Sequence, residues 1–174
     1  EPLFYELFSE FGCGKKVSDY PFKKISYDDS MLQYGTDKPD LRNPLKISDV
    51  TDIFNSADIK LNIFKKKINK DAIVRAIPAS NASKKPRSFF DNINEWAKTE
   101  GANGLAYLSI IKIKDKFTGS GPISKFFSDN GINKIVKACN LKDADSVFFS
   151  CEKKQIAEKI SGLARQKIAE DLNL

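Results

Sequence analysis

Residues 104–115, "GLAYLSIIKIKD", decide the fold class. Ile111 and Ile113 alternate with Lys112 and Lys114, and a period of two predicts a strand with one apolar and one polar face. Around this strand the period changes. Residues 86–100 place Phe89, Phe90, Ile93, Trp96 and Ala97 on one helical face, and Gly101 supplies the stop. Downstream, "PISKFFS" predicts a short helix opened by Pro122, "INKIVKACN" a further helix, "DSVFFSC" a strand, and Lys153–Leu172 a closing amphipathic helix. Upstream, residues 61–68 and 72–77 read as two extended runs around "NKD", a hairpin with Asn69 in its turn. "FTGSGP" reads as a flexible loop. The sum is an α+β fold: a roughly four-stranded antiparallel or mixed sheet with helices packed on one face.

The first 45 residues contain no convincing strand. Leu3, Phe4, Leu7, Phe8 and Phe11 stand at helical spacing, and Gly12 and Gly14 break the run. Ser26 reads as the N-cap of a second helix, with Asp28 and Asp29 in its first turn and Gly35 at its end. "YGTDKPDLR", residues 34–42, is the loop that leaves this helix, with Asp37, Lys38, Asp40 and Arg42 set around Pro39. Pro39 keeps Lys38 extended. Beyond "NPLKIS", Ser48 is expected to cap a short helix, "DVTDIFNS". These features divide the chain into a helical arm, residues 1–57, and a sheet domain, residues 58–174. The opening "EPLFYELFSEFG" has no Met, basic n-region or cleavage site, and reads like the tail of a helix cut from something longer. No apolar run approaches the roughly 20 residues that cross a bilayer, so a cytoplasmic protein without a membrane partner is expected.

Few residues are suited to catalysis. Histidine is absent, which removes the commonest general base and metal ligand. Cys13, Cys139 and Cys151 are far apart and lack CxxC spacing, so reduced thiols and no metal site are expected. "TGSGP" lacks the GK[ST] ending of a phosphate loop. The acid pairs Asp28/Asp29, Asp49/Asp52 and Asp143/Asp145 lie near predicted element starts, where capping accounts for them. No catalytic residue is assigned. Charge carries more information. The chain has a net charge of +6, yet Lys60–Arg87 holds seven lysines and two arginines against one acid, Asp71. A local basic excess points to a polyanionic partner. Lys84, Lys85 and Arg87 in "KKPR" are the first candidates for phosphate contact, with Lys65, Lys66 and Lys67 next.

The run "YPFKKISYDDSMLQYGTDKPDLRNPLKISDVTDIF" resembles the segment after motif 2 of bacterial-type aspartyl-tRNA synthetases, with Tyr34, Gly35, Asp37, Lys38, Pro39, Asp40 and Arg42 in that family's "YG[ST]DKPDLR". "GANGLAYLSI", "GPISKFFS" and "DADSVFFSCEKKQIAEKISGLARQKIAEDLNL" continue the resemblance in order. From Asp58 onward it corresponds to the GAD insertion domain, an α+β sandwich shared with the B subunit of the tRNA-dependent amidotransferase. Pro78, Ala79, Ser80 and Asn81 stand where the family often has paired glycines, and "SGLAR" departs from its "GALR". The resemblance implies a parent that joins aspartate to tRNA through aspartyl-adenylate, uses ATP and Mg²⁺, and forms a homodimer. Motifs 1, 2 and 3 and the anticodon-binding domain are absent from these residues. The chain alone is therefore expected to be inactive, without cofactor, and to have the rest of the synthetase and tRNA as partners. A protein-docking module that binds no RNA is the alternative.

Overall fold

The alternation at 104–115 becomes β3, Ala106–Ile113, in a computed structural model that describes all 174 residues. β3 turns directly into β4, Lys116–Ser120, through Lys114 and Asp115, both at positive φ. Two consecutive left-handed residues make the tight turn whose twist matches antiparallel strands. The residues expected to form a flexible loop therefore form a strand. Gly119 is packed within it, and a Cβ there would stand 2.9 Å from Leu108 Cδ1.

Three more strands complete an antiparallel sheet: β1, Ser48–Asp49; β2, Ala72–Ala79; and β5, Ser146–Lys153. Their order is β1-β2-β5-β3-β4. The α+β class and antiparallel pairing agree with the sequence. The sheet has five strands where about four are expected, and helices cover both faces instead of one. The apolar runs in β2 and β5 explain the second face, because strands buried on both sides need not alternate. Val74, Ala76, Val147 and Phe149 point into one core, with Phe54, Ile59 and Ile135. Ile77, Ala79 and Phe148 point into the other, with Phe90, Ile93, Ile160 and Ile168.

The first core is closed by α3, Thr51–Asn55; α4, Asn62–Ile68; and α6, Asp129–Ala138. Phe54 is fully buried at its centre, with ring centroids 4.9 Å from Phe149 and 5.1 Å from Phe64. The expected hairpin around "NKD" is replaced by α4 entering β2. Leu61, Phe64 and Ile68 all turn inward, a helical spacing. Asn69 ends this helix, donating its N–H to Lys65 O at 3.0 Å. The expected helix at 122–128 is one 3₁₀ turn, Ser124–Phe126. Ser48 belongs to β1 instead of capping α3. Val50 is the N-cap of α3 without a side-chain cap, and Asp49 before it makes a local turn, with Oδ1 accepting from Thr51 N at 2.9 Å and from its hydroxyl at 2.6 Å.

The second core lies under α5, Arg87–Thr99, and α7, Lys154–Leu172. Residues 1–57 divide between exposed and packed parts. Every residue of α1, Pro2–Phe11, is exposed. The next helix, α2, Tyr27–Tyr34, has the expected cap: Ser26 Oγ accepts from Asp29 N at 3.1 Å. From Leu45 onward, Leu45 and Ile47 enter the second core and Val50 and Phe54 the first.

Candidate nucleic-acid interface

The charged loop at 34–42 leaves α2 across the backbone of α7. Gly35 closes the helix at φ 69, donating its N–H to Met31 O at 3.1 Å. A side chain here would meet strain and backbone together, since a Cβ would lie 2.5 Å from Glu158 O and 2.6 Å from Gly162 Cα. Gly162 has the reciprocal constraint, because its Cβ would stand 2.7 Å from Gly35 O. Two glycines thus let a helix end lie directly on α7.

Arg165 fastens the remainder of the strap. Its side chain is fully buried and has no carboxylate partner. Nε donates to Leu45 O at 2.6 Å, and Nη2 to Asn43 O at 2.7 Å and Asp40 O at 2.9 Å. The guanidinium stacks 4.9 Å from the ring centroid of Tyr34, which is itself buried. Asn43 returns a hydrogen bond from Nδ2 to Arg165 O at 3.2 Å. Burial pushes the Arg165 pKa below its ordinary value, while Tyr34 and Asp40 oppose the shift. Strong charged donors on otherwise unpaired carbonyls stabilise such a burial. The sequence offers one trace of this role: Arg165 lies on the buried stripe of α7, between Ser161 and Ile168.

The charges of the strap point outward and pair with each other. Lys38 Nζ lies 3.0 Å from Asp37 Oδ2, and Arg42 Nη2 lies 2.6 Å from Asp40 Oδ2. The hydrogen bonds of Arg42 hold the Asp40 carboxyl down at about 2. Both strap carboxylates are thus already paired with a cation, and the strap by itself presents no free carboxylate pair for Mg²⁺. No group of three or more His, Cys, Asp or Glu is assembled anywhere in the chain. Burial raises the thiols of Cys139 and Cys151 to about 12 and about 11, which leaves both poor nucleophiles at neutral pH.

The basic candidates fall into two places. Lys65, Lys66 and Lys67 lie in the last turn of α4, beside the start of β2. Lys65 Nζ donates to Ser56 O at 2.7 Å; Lys67 Nζ donates to Cys151 O at 3.0 Å and pairs with Glu152 at 3.2 Å. Only Lys66 of the three is exposed without a partner. Lys84, Lys85 and Arg87 are exposed beyond the other end of β2. At about 3.3 Å per residue, eight strand residues separate the groups by roughly 25 Å. Arg87 pairs with Asp91 at 3.4 Å, and Lys85 Nζ lies 6.0 Å over the Phe89 ring. The fold therefore does not bring the two candidate groups onto one surface.

Residues 64–161 match the GAD domain family. Over all 174 residues the chain is 47% identical to an aspartate–tRNA(Asp/Asn) ligase of Beijerinckia indica, covering 29% of that protein. It is 48% identical to the ligase of the same name from Pelagibacter ubique, again covering 29%, and 47% identical to that of Rickettsia bellii, covering 28%. The chain thus spans less than a third of the length of these curated relatives. No helix is long and apolar enough to cross a membrane.

Proposed function

The chain belongs to the GAD domain family, and from that premise we propose that it serves as a non-catalytic insertion of an aspartate–tRNA ligase. The observation that carries this reading is the identity of 47–48% over all 174 residues with aspartate–tRNA(Asp/Asn) ligases, which takes in the strap as well as the GAD domain. In the longer protein, ATP and aspartate give an aspartyl-adenylate with Mg²⁺, and the aspartyl group passes to the terminal ribose of tRNA. tRNA(Asp) and tRNA(Asn) are the proposed acceptors, after the names of the relatives. ATP and Mg²⁺ are assigned to the rest of the ligase, a reading supported by the pairing of both strap carboxylates with neighbouring cations.

Within that protein the chain has two tasks. The strap fixes the insertion to its neighbour: Arg165 and the Gly35–Gly162 contact hold residues 34–45 in one shape on α7. The exposed apolar face of α1 is covered by the rest of the ligase. The basic loop with Lys84, Lys85 and Arg87 contacts the phosphate backbone of tRNA, where each neutralised phosphate adds salt sensitivity. Two assays test this reading. The chain alone should give no aspartate-dependent ATP–pyrophosphate exchange. Put in place of the matching segment of the Rickettsia bellii ligase, it should retain aspartylation of tRNA. Exchange by the chain alone, or a folded chimera that binds aspartate and ATP but fails to charge tRNA, would contradict it.

A further inference from the structure

The fold gathers a different set of lysines from the one the chain order groups. β2 ends, β5 begins and β3 turns into β4 at one end of the sheet. Four segments meet there, carrying Lys46, Lys84 with Lys85, Lys114, and Lys142. The last three are tied together by carboxylates directed at the backbone. Asp145 accepts from Asn81 N at 2.9 Å and from Lys142 N at 2.7 Å, and Asp143 accepts from Lys112 N at 2.8 Å. Ala144 O accepts from Ser83 N at 3.0 Å. The five lysines are exposed and none forms an ion pair.

Between the segments of Lys46, Lys84 and Lys142 lies a cavity of about 410 Å³, whose polar lining is Lys46, Ser80, Asn81, Asn140 and Lys142 along with Asp143 and Asp145. The residue types decide the partner. Protein interfaces centre on aromatic and arginine anchors and are poor in lysine. The cavity has no aromatic lining; its two carboxylates accept from backbone N–H groups, and beside them it offers ammonium, amide and hydroxyl groups, the side chains that meet phosphate and sugar oxygens.

We propose that this end of the sheet is an RNA-backbone-binding surface, with Lys46, Lys84, Lys85, Lys114 and Lys142 on phosphates and Asn81 and Asn140 on phosphate or ribose oxygens. The proposal rests on the tRNA reading above and adds which face carries it. It also removes Lys65–Lys67 from the contact, since two of those three are engaged within the protein at the opposite end of the sheet.

The test titrates the 174-residue chain with folded tRNA between 50 and 200 mM salt, in three double variants: K84A/K85A, K46A/K142A and K66A/K70A. All six side chains are exposed. Each phosphate contact contributes about 0.7–0.9 to the log–log salt slope. The first two variants should each flatten it by roughly 1.4–1.8, and K66A/K70A should leave it unchanged. A wild-type slope in K46A/K142A, or equal losses in K66A/K70A and K84A/K85A, would overturn the surface while leaving tRNA binding intact. No binding of wild-type chain to tRNA at the lowest salt would overturn the tRNA reading itself, and this surface with it.

Discussion

Residues 2–11 and residues 34–45 come from the same strand-free stretch of chain, yet the fold treats them oppositely. α1 carries Leu3, Phe4, Leu7, Phe8 and Phe11 at helical spacing, and all five remain exposed. The strap is rich in charge, yet it is held by a fully buried arginine and by two glycines in backbone contact. Apolar spacing shows that a helix needs a covering surface without saying where that surface is. Backbone acceptors can fix a polar loop whose buried apolar side chains lie only at its two ends, Tyr34 and Leu45. A ten-residue helix is marginal in water without tertiary packing, so α1 depends on a neighbour in a way the strap does not.

The largest expected effect comes from releasing the strap. Arg165→Met removes the donors to Leu45, Asn43 and Asp40 carbonyls and should cost roughly 3 kcal/mol or more, since each bond to a charged donor is worth about 1.5–3 kcal/mol. Urea unfolding measures it, and a loss below 1 kcal/mol would show that the strap does not depend on Arg165. Gly162→Ala forces a Cβ against Gly35 O and should cost about 1–3 kcal/mol in the same assay. A neutral result would mean that α2 can move off α7 freely.

Acid should act more weakly on the strap. The Asp40 carboxyl is held below its ordinary value by Arg42, down to about 2, so its contribution is complete above about pH 4 and is lost as pH falls through 2. Asp40→Asn should therefore reduce stability at neutral pH slightly and flatten the acid limb between pH 4 and 2. An unchanged acid limb would mean that the pair adds nothing. The smallest effect belongs to α1. Phe8→Ser should change the stability of this chain by no more than about 0.5 kcal/mol, as at other exposed sites. The same change in the chimeric ligase should be clearly destabilising.

The parts of the fold governed by local chemistry were legible in the sequence. Ser26, Asp28, Asp29 and Gly35 bound α2 through contacts within a few residues, and Ile111 and Ile113 mark β3 by alternation. α4 was harder, because its seven residues hold only three apolar side chains, Ile63, Phe64 and Ile68, too few to separate a helical period from a strand's. The β3–β4 turn uses Lys114 and Asp115 at positive φ, with no glycine or asparagine to announce it. The site followed the same rule. The exposed charges of the strap and the "KKPR" loop are visible as residue types. Arg165 was missed because its acceptors are carbonyls about 120 residues away, and a carbonyl has no residue type. Lys46, Lys114 and Lys142 join Lys84 and Lys85 only through strand order.

The most direct test is amide hydrogen exchange, on the chain alone and on the same residues within the chimeric ligase. In the chain alone, α1 should exchange freely, while strap amides with intramolecular partners, such as Gly35, should be protected to a similar degree as the centre of α7. In the chimera α1 should become protected as well. Protection of α1 in the chain alone, or none in the chimera, would contradict the claim that its apolar face belongs against the rest of the ligase.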